Sequence, residues 1–264
     1  MLEENIMTTD LEYTPFELMA AAGARELRDG EIVCVGLGLP IVASFLAKRT
    51  HAPSLTILLE LGVVDPEPIE VGVDGLSDPR IWYRAKSHTS FVDMLGSVLH
   101  KGLVDVGFLG ALEVDAYGNL NTRLLGDPKG KYRRFTGSGG GNDIASCARR
   151  TIITIRHEVR KLNEAVSFIT SPGYLGGGRE REDAGLLGGP SRIITDKAVL
   201  GFHPQSKRMQ LESIHPNTTL EDVLSNMNFK PIVPEELPVT ELPTAEQVRL
   251  IREEIDPEKA YAGS

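Results

Sequence analysis

Helical and strand-like apolar patterns alternate along the first 60 residues. Residues 14–30 have apolar side chains at helical spacing, and Thr14 and Pro15 stand where an N-cap and a first helical residue belong. The apolar run EIVCVG predicts a strand, LGLPIVASFLAKRT predicts a helix opened by Pro40, and SLTILLE predicts the next strand. A strand, a helix and a second strand in this order predict parallel strands that helices bury on both faces.

The same kinds of segment continue beyond residue 90. SFVDMLGSVLHKG and TTLEDVLSNMNF predict helices, VDAYGNLN predicts a turn, and SRIITDKAVLGF followed by KRMQLESIHP predicts a hairpin. Further strands are predicted in LVDVGFLGA, TIITIRHE and VSFITSPG. No internal repeat is visible, so these elements predict one continuous α/β fold.

The last part of the chain has a different pattern. PIVPEELPVTELP is rich in proline and predicts an extended segment over the surface. In TAEQVRLIREEID, Thr244 and Gln247 have the spacing of a capping box. Val248, Ile251 and Ile255 share one face of the predicted helix, which therefore has an apolar side to bury.

Length and composition are those of a globular protein with a substantial core. The chain has 264 residues, of which 41% are hydrophobic and 25% are charged. We expect a single α/β domain over residues 11–230, with a mostly parallel central sheet flanked by helices. Residues 231–264 are expected to form a C-terminal arm made of the proline-rich linker and the last helix.

Charge and cysteine content narrow the classes of function. A net charge of −9 argues against non-specific binding to nucleic acid and against docking on anionic membranes. No apolar run approaches the ~20 residues of a membrane span. Cys34 and Cys147 support no disulfide framework, and no Cys/His spacing predicts a metal site. Because the acidic N-terminus also lacks a signal-peptide pattern, we expect a cytoplasmic protein.

Glu60 is the first unusual residue, because it places a carboxylate at the end of a buried strand. Open α/β sheets bind ligands at the carboxyl ends of their strands, and a carboxylate with a reference pKa of ~4.3 is ionised at neutral pH. Glu60 could therefore act as a base or a nucleophile. The alternative is a buried acid that pairs with an arginine.

The turn between the first two strands offers another interpretation of Glu60. Gly36 and Gly38 follow a strand and precede a helix, and Glu60 lies at about the distance of the ribose-binding acid in dinucleotide-binding units. The third glycine of that pattern is replaced by Ile41, however, and Pro40 removes one amide from the anion site. A tight strand-to-helix turn is therefore the favoured interpretation.

A glycine-rich loop, FTGSGGGNDIA, is the second candidate site. Its glycines free the backbone to approach a ligand, and Asn142 and Asp143 are placed to cap a helix that begins near Ile144. Exposed amides in such a loop can stabilise an anion or a developing oxyanion. The candidate residues for such an anion or oxyanion site are Gly137, Gly139, Gly140, Gly141, Asn142 and Asp143. The loop matches neither a P-loop nor a nucleophile elbow around Ser138.

Other charged residues have two interpretations each. The basic cluster before the loop could hold ligand phosphates or form a solvated loop; it consists of Lys129, Lys131, Arg133 and Arg134. His157 and His215 are expected to be structural or surface residues rather than catalytic ones.

Several long motifs in a fixed order resemble one family, the class I CoA-transferases, in their B (beta) subunits and in particular the glutaconate CoA-transferase type. They are VGLGLPIVASFLAKRTHAP, the strand ending in Glu60, VDAYGNLNTR, RFTGSGGGNDIA, ITSPGYLGGG, EDVL and LIREEIDP. The resemblance covers nearly the whole chain and lowers the weight of the dinucleotide interpretation.

The resemblance implies a mechanism and a partner. Glu60 matches the family's covalent nucleophile, which attacks an acyl-CoA and then carries CoA as a glutamyl thioester before a carboxylic acid accepts it. It implies coenzyme A as a substrate and transient covalent thioester, with no permanently bound cofactor and no metal. It also implies a CoA-transferase A (alpha) chain as partner, in an A2B2 heterotetramer.

One departure keeps other functions open. Family members usually have a small or polar residue after the glutamate, whereas this chain has Leu61. Relatives on the same scaffold hydrolyse or decarboxylate CoA thioesters, so a role in a hydrolase or a decarboxylase/lyase is the alternative. A binding-only role, in which Glu60 merely pairs with an arginine, is the other.

Overall fold

The computed structural model describes residues 12–68, 75–76, 78–127 and 129–261. The strands of these ranges, in chain order, are β1 (Ile32–Val35), β2 (Thr56–Leu59), β3 (Val63–Val64), β4 (Ser87–His88), β5 (Val106–Gly110), β6 (Glu113–Asp115), β7 (Leu120–Asn121), β8 (Leu124–Gly126), β9 (Tyr132–Arg134), β10 (Arg150–Thr154), β11 (Leu162–Asn163), β12 (Pro190–Ile194), β13 (Ala198–Phe202) and β14 (Met209–Ile214). The helices are α1 (Pro15–Arg25), α2 (Leu39–Arg49), α3 (Pro79–Trp82), α4 (Gly141–Cys147), α5 (Glu180–Asp183), α6 (Leu220–Ser225) and α7 (Ala245–Leu250), with π-helices at Asp93–Leu99 and Ile251–Ile255.

The core of the fold is a nine-stranded sheet in the order β14-β13-β12-β10-β5-β1-β2-β3-β4. Its five central strands, β12, β10, β5, β1 and β2, run parallel. The strands at both edges pair antiparallel. The expected α/β fold with a central, mostly parallel sheet is confirmed.

Helices cover both faces of the sheet, as a buried parallel sheet requires. One apolar cluster packs α1, α2 and the second π-helix on one face. The other cluster packs the first π-helix and α4 on the opposite face. The carboxyl ends of β1 and β2 therefore open at one edge of the sheet, between the two layers.

The first helix begins where its sequence predicts. The Thr14 Oγ1 accepts a hydrogen bond from the Glu17 N–H at 3.2 Å, and the Thr14 N–H donates to the Glu17 Oε2 at 2.7 Å. These two bonds form a capping box, which satisfies amides that the helix itself leaves unpaired.

The C-terminal helix is also confirmed. Thr244 and Gln247 form the predicted capping box, with bonds of 3.0 and 3.1 Å. Val248, Ile251 and Ile255 are all buried, and this face packs against α2. The preceding extended segment runs beside β14, with isolated bridges from Gln210 to Ile232 and from Ile214 to Val239. The division into a domain and an arm at residue 230 remains a prediction.

The predicted hairpin near the sheet edge is confirmed and is larger than expected. SRIITDKAVLGF forms two antiparallel strands, β12 and β13, and β14 pairs with β13 as a third. The turn between β12 and β13 is fixed by Thr195, whose Oγ1 accepts the N–H groups of Lys197 and Ala198.

The strand predicted in VSFITSPG is wrong. The segment contains only an isolated bridge, between Leu120 and Ser171. The Ser167 amide donates to the Glu113 carboxylate, and the amides of Thr170 and Ser171 donate to the Leu120 carbonyl, so no regular strand pairing forms. Phe168 and Ile169 are each about half exposed, 48% and 46%, so the apolar residues of this segment form no buried strand face.

Two kinds of feature are absent from the described ranges. Among these residues, no helix combines the length and apolarity needed to cross a membrane. Within the same part of the chain, no group of three or more His, Cys, Asp or Glu side chains is placed to hold a metal ion.

Candidate functional site

Glu60 is the first residue after β2, at the carboxyl end of a central strand. Leu58 and Leu59 before it are buried. The chain then turns sharply at Gly62, which has φ +98°, and a Cβ there would overlap the Thr89 carbonyl. Only glycine fits this turn, which lies two residues after Glu60 and follows the end of β2.

The glycine-rich loop lies directly over Glu60. The Gly140 N–H donates a hydrogen bond of 3.1 Å to the Glu60 Oε2. A Cβ on Gly140 would stand 2.5 Å from that same oxygen, and one on Gly139 would stand 3.5 Å from Oε1. Glycines in this loop therefore allow the backbone to reach the Glu60 carboxylate.

Close packing of α4 on the sheet brings the loop to this position. A Cβ on Gly107 of β5 would overlap the Ile144 Cγ2 of α4, so the helix lies against bare backbone. The chain approaches α4 through Gly137 and Gly139, whose φ values of +107° and +53° favour glycine. The strand, the helix and the loop together fix Gly140 beside Glu60.

Glu60 has an unusual electrostatic environment for a carboxylate. Burial raises the pKa of Glu60, and the negative charge of Asp143 raises it further, while the Gly140 N–H acts in the opposite direction. In the described part of the chain, no arginine, lysine or histidine forms an ion pair with Glu60. This observation contradicts the alternative in which Glu60 merely pairs with an arginine of this chain.

Asn142 and Asp143 have different positions from those expected. The helix α4 begins at Gly141 with Gly140 as its N-cap, so neither side chain caps it. The Asn142 Nδ2 instead donates to the Thr170 carbonyl at 2.8 Å. The Asp143 Oδ1 lies 2.8 Å from the His100 Nε2, a contact that the sequence did not suggest.

Besides His100, Arg123 is a residue near the site that the sequence analysis did not single out. Its Nη1 lies 3.4 Å from the position that a Cβ on Gly137 would take, so the guanidinium stands beside the loop. The basic cluster lies in the hairpin β8–β9 immediately before the loop, and its four side chains are exposed.

The remaining sequence candidates have structural roles. His157 and His215 are buried, each ring is hydrogen-bonded at both nitrogens, and burial lowers the pKa of both. The prediction that they are structural is confirmed. Gly38 has φ +87° and precedes α2, which fits the tight-turn interpretation. Cys34 is a core residue, and its burial raises the pKa of the thiol to about 12.

Most of the chain is similar to known proteins. A model of the coenzyme A transferase family matches residues 16–226. The chain is 38% identical to the B chain of glutaconate CoA-transferase from Acidaminococcus fermentans over 94% of this chain and 95% of that protein. It is 33% identical to the B chain of 3-oxoadipate CoA-transferase from Pseudomonas knackmussii, covering 91% and 92%.

Solved structures agree with these matches. The crystal structure of the A. fermentans glutaconate enzyme superposes with a TM-score of 0.87 at 36% identity, covering 95% of this chain and 97% of that chain. The decarboxylase AibA/AibB superposes with a TM-score of 0.81 at 27% identity, covering 96% and 98%. The resemblance seen in the sequence is thus confirmed, and the chain belongs to the coenzyme A transferase family.

Proposed function

We propose that this chain is the beta subunit of an acyl-CoA:carboxylate CoA-transferase in which Glu60 is the covalent nucleophile. The observation that carries the proposal is a half-buried carboxylate at a strand end, faced by the Gly140 N–H and, within the described ranges, by no pairing cation. Membership of the coenzyme A transferase family supports the reaction class. The proposed partner is an alpha subunit, in an A2B2 complex.

The reaction proceeds in steps that need no external proton or electron. A Glu60 oxygen attacks the thioester carbonyl, the C–S bond breaks, and a mixed anhydride and CoA thiolate form. The thiolate then attacks the glutamyl carbonyl and releases the first acid as its carboxylate, leaving CoA on Glu60 as a thioester. A second carboxylate attacks this thioester, and the reverse steps yield the new acyl-CoA and free Glu60.

The surroundings of Glu60 suit each of these steps. Because burial raises the pKa of Glu60, its ionised form is less stabilised than a carboxylate in water and is a better nucleophile. The Gly140 N–H holds one carboxylate oxygen while the other attacks, and it can stabilise the oxyanion that develops on the glutamyl carbonyl. We therefore assign Gly137, Gly139 and Gly140 to shaping this loop, whereas Gly141 is the first residue of α4. Asn142 and Asp143 position it through Thr170 and His100.

An exchange assay tests the proposal on the complex assembled with the alpha subunit. Transfer of CoA from a labelled acyl-CoA to a carboxylic acid is measured for the wild type and for Glu60→Ala. We expect transfer to be lost in the variant and to require the acceptor acid in the wild type. Unimpaired transfer by Glu60→Ala refutes the assignment of the nucleophile. Thioester consumption at the same rate without any acceptor favours the hydrolase or decarboxylase alternative.

A further inference from the structure

The hairpin that leads into the glycine-rich loop has a strong excess of positive charge. We call residues 123–127 and 129–134 the basic hairpin, because they contain the paired strands β8 and β9. The basic hairpin holds five cations and a single carboxylate, Asp127, although the whole chain has a net charge of −9. The cations are Arg123, Lys129, Lys131, Arg133 and Arg134.

These cations have no anionic partner in the described part of the chain. The Asp127 Oδ1 accepts the backbone N–H of Lys129, not a side-chain donor. Arginines elsewhere are paired: Arg150 bonds to Glu31 and Arg208 to Glu164, each at 2.7 Å. Unpaired cations concentrated on one hairpin form a local site for an anion in an otherwise acidic protein.

The hairpin arranges part of this charge along one face. Leu125 lies opposite Arg133 in the strand register, and an open groove of about 510 Å³ is lined by Leu125, Lys131 and Arg133. The Arg133 guanidinium is held over the Phe135 ring at 4.9 Å, which fixes its position. Arg123 lies next to this ring in the pairing of the hairpin, because its backbone carbonyl accepts the Phe135 N–H.

One of these cations lies close to the loop that contacts the reacting carboxylate. The Arg123 guanidinium stands beside Gly137, three residues before Gly140, which binds Glu60. Arg133 is seven residues before Gly140, so the chain between them spans at most ~25 Å. The basic hairpin is therefore joined directly to the loop, and Arg123 stands beside it.

We propose that the basic hairpin binds the pyrophosphate and 3′-phosphate of coenzyme A. The proposal rests on the function proposed above, because it assigns the groove to the distal end of the same substrate. A CoA thioester bound with its reacting carbon at Glu60 has its phosphates at the far end of the pantetheine arm. Arginine and lysine are the side chains that bind phosphates most strongly. The binding energy of these phosphate contacts can then lower the barrier to reaction at the thioester carbonyl.

Calorimetric titration of CoA and of pantetheine into the assembled complex tests the proposal. All measurements use a Glu60→Ala background, so that no turnover occurs. Lys131→Ser/Arg133→Ser is compared with Arg28→Ser/Lys230→Ser, which removes two exposed cations outside the hairpin, one before β1 and one beside β14. We expect the hairpin pair to weaken CoA binding about 10- to 100-fold, and the control pair by less than about twofold. Pantetheine binding should change less than about twofold in both.

Several outcomes contradict the proposal. Unchanged CoA affinity in the hairpin pair, or equal weakening in the control pair, removes the basis for a specific site. If pantetheine binding is weakened as much as CoA binding, the hairpin does not bind the phosphates. Failure of the hairpin pair to assemble, seen by size-exclusion chromatography, makes the hairpin a contact between the two chains instead. Because the titration needs no covalent step, it can succeed even if Glu60 proves not to be the nucleophile.

Discussion

The Gly140→Ala variant is expected to lose transfer activity while it keeps its fold. Gly140 has φ −74° and ψ 0°, a backbone conformation that alanine adopts without strain. The added Cβ would stand 2.5 Å from the Glu60 Oε2, so the carboxylate must move by roughly 1 Å to reach ordinary contact distance. A displacement of this size at a reacting atom can reduce turnover by about 100-fold.

The stability of this variant should change little. The Glu60 side chain can rotate away from the new methyl group, and replacing glycine by alanine at a compatible site stabilises a protein by about 0.4–1 kcal/mol. The assay measures kcat for transfer in the assembled complex together with urea unfolding of the same preparation. We expect a loss of activity without a loss of unfolding free energy.

Gly141→Ala is the matched control. A Cβ at this position would lie 3.5 Å from the Leu109 Cδ2, which is an ordinary contact, and its φ is not in the left-handed region. We expect transfer within about threefold of wild type for this neighbour. Wild-type transfer by Gly140→Ala, or an equal loss in Gly141→Ala, would refute the role given to the contact between Gly140 and Glu60.

Further predictions concern charge and packing. Burial raises the pKa of Glu60, and only its ionised form can attack the thioester. When the pH is lowered, kcat should therefore begin to fall at a higher pH than the pKa of a free carboxyl would predict. Glu60→Gln should raise the melting temperature at neutral pH, and this gain should disappear below about pH 4, where the unfolded carboxyl is also protonated; an equal gain at all pH values contradicts the cause. Gly107→Ala should cost about 1–3 kcal/mol in urea unfolding through its clash with Ile144, and Ile144→Ala should partly rescue it; additive losses would exclude that clash. Thr14→Ala should cost about 1 kcal/mol and Thr14→Ser much less, and equal losses would show that the hydroxyl cap is not the cause.

The sequence predicted the elements whose signals are local. Thr14 and Thr244 each form the bond expected of an N-cap, because capping depends on residues within one turn. Glu60 was recognisable as a candidate because it follows an apolar run directly. The glycines of the loop were recognisable because several within a few residues permit a close approach of backbone.

Contacts between distant segments could not be predicted in the same way. Arg181 is buried and donates to backbone carbonyls of Ala145, Pro172 and Leu187. A carbonyl acceptor is available at every residue, so the sequence contains no signal for this set of partners. The contact of His100 with Asp143 and the position of Arg123 beside Gly137 likewise depend on how separate elements pack.

Intact mass spectrometry of this chain, in complex with its alpha subunit and incubated with acyl-CoA, tests most directly whether Glu60 carries the covalent intermediate. We expect an added mass equal to a CoA thioester, mapped to Glu60, which disappears when a carboxylic acid is added and never forms on Glu60→Ala. Turnover of the thioester to a new acyl-CoA without any adduct on Glu60, or with the adduct on another residue, would contradict the proposed mechanism.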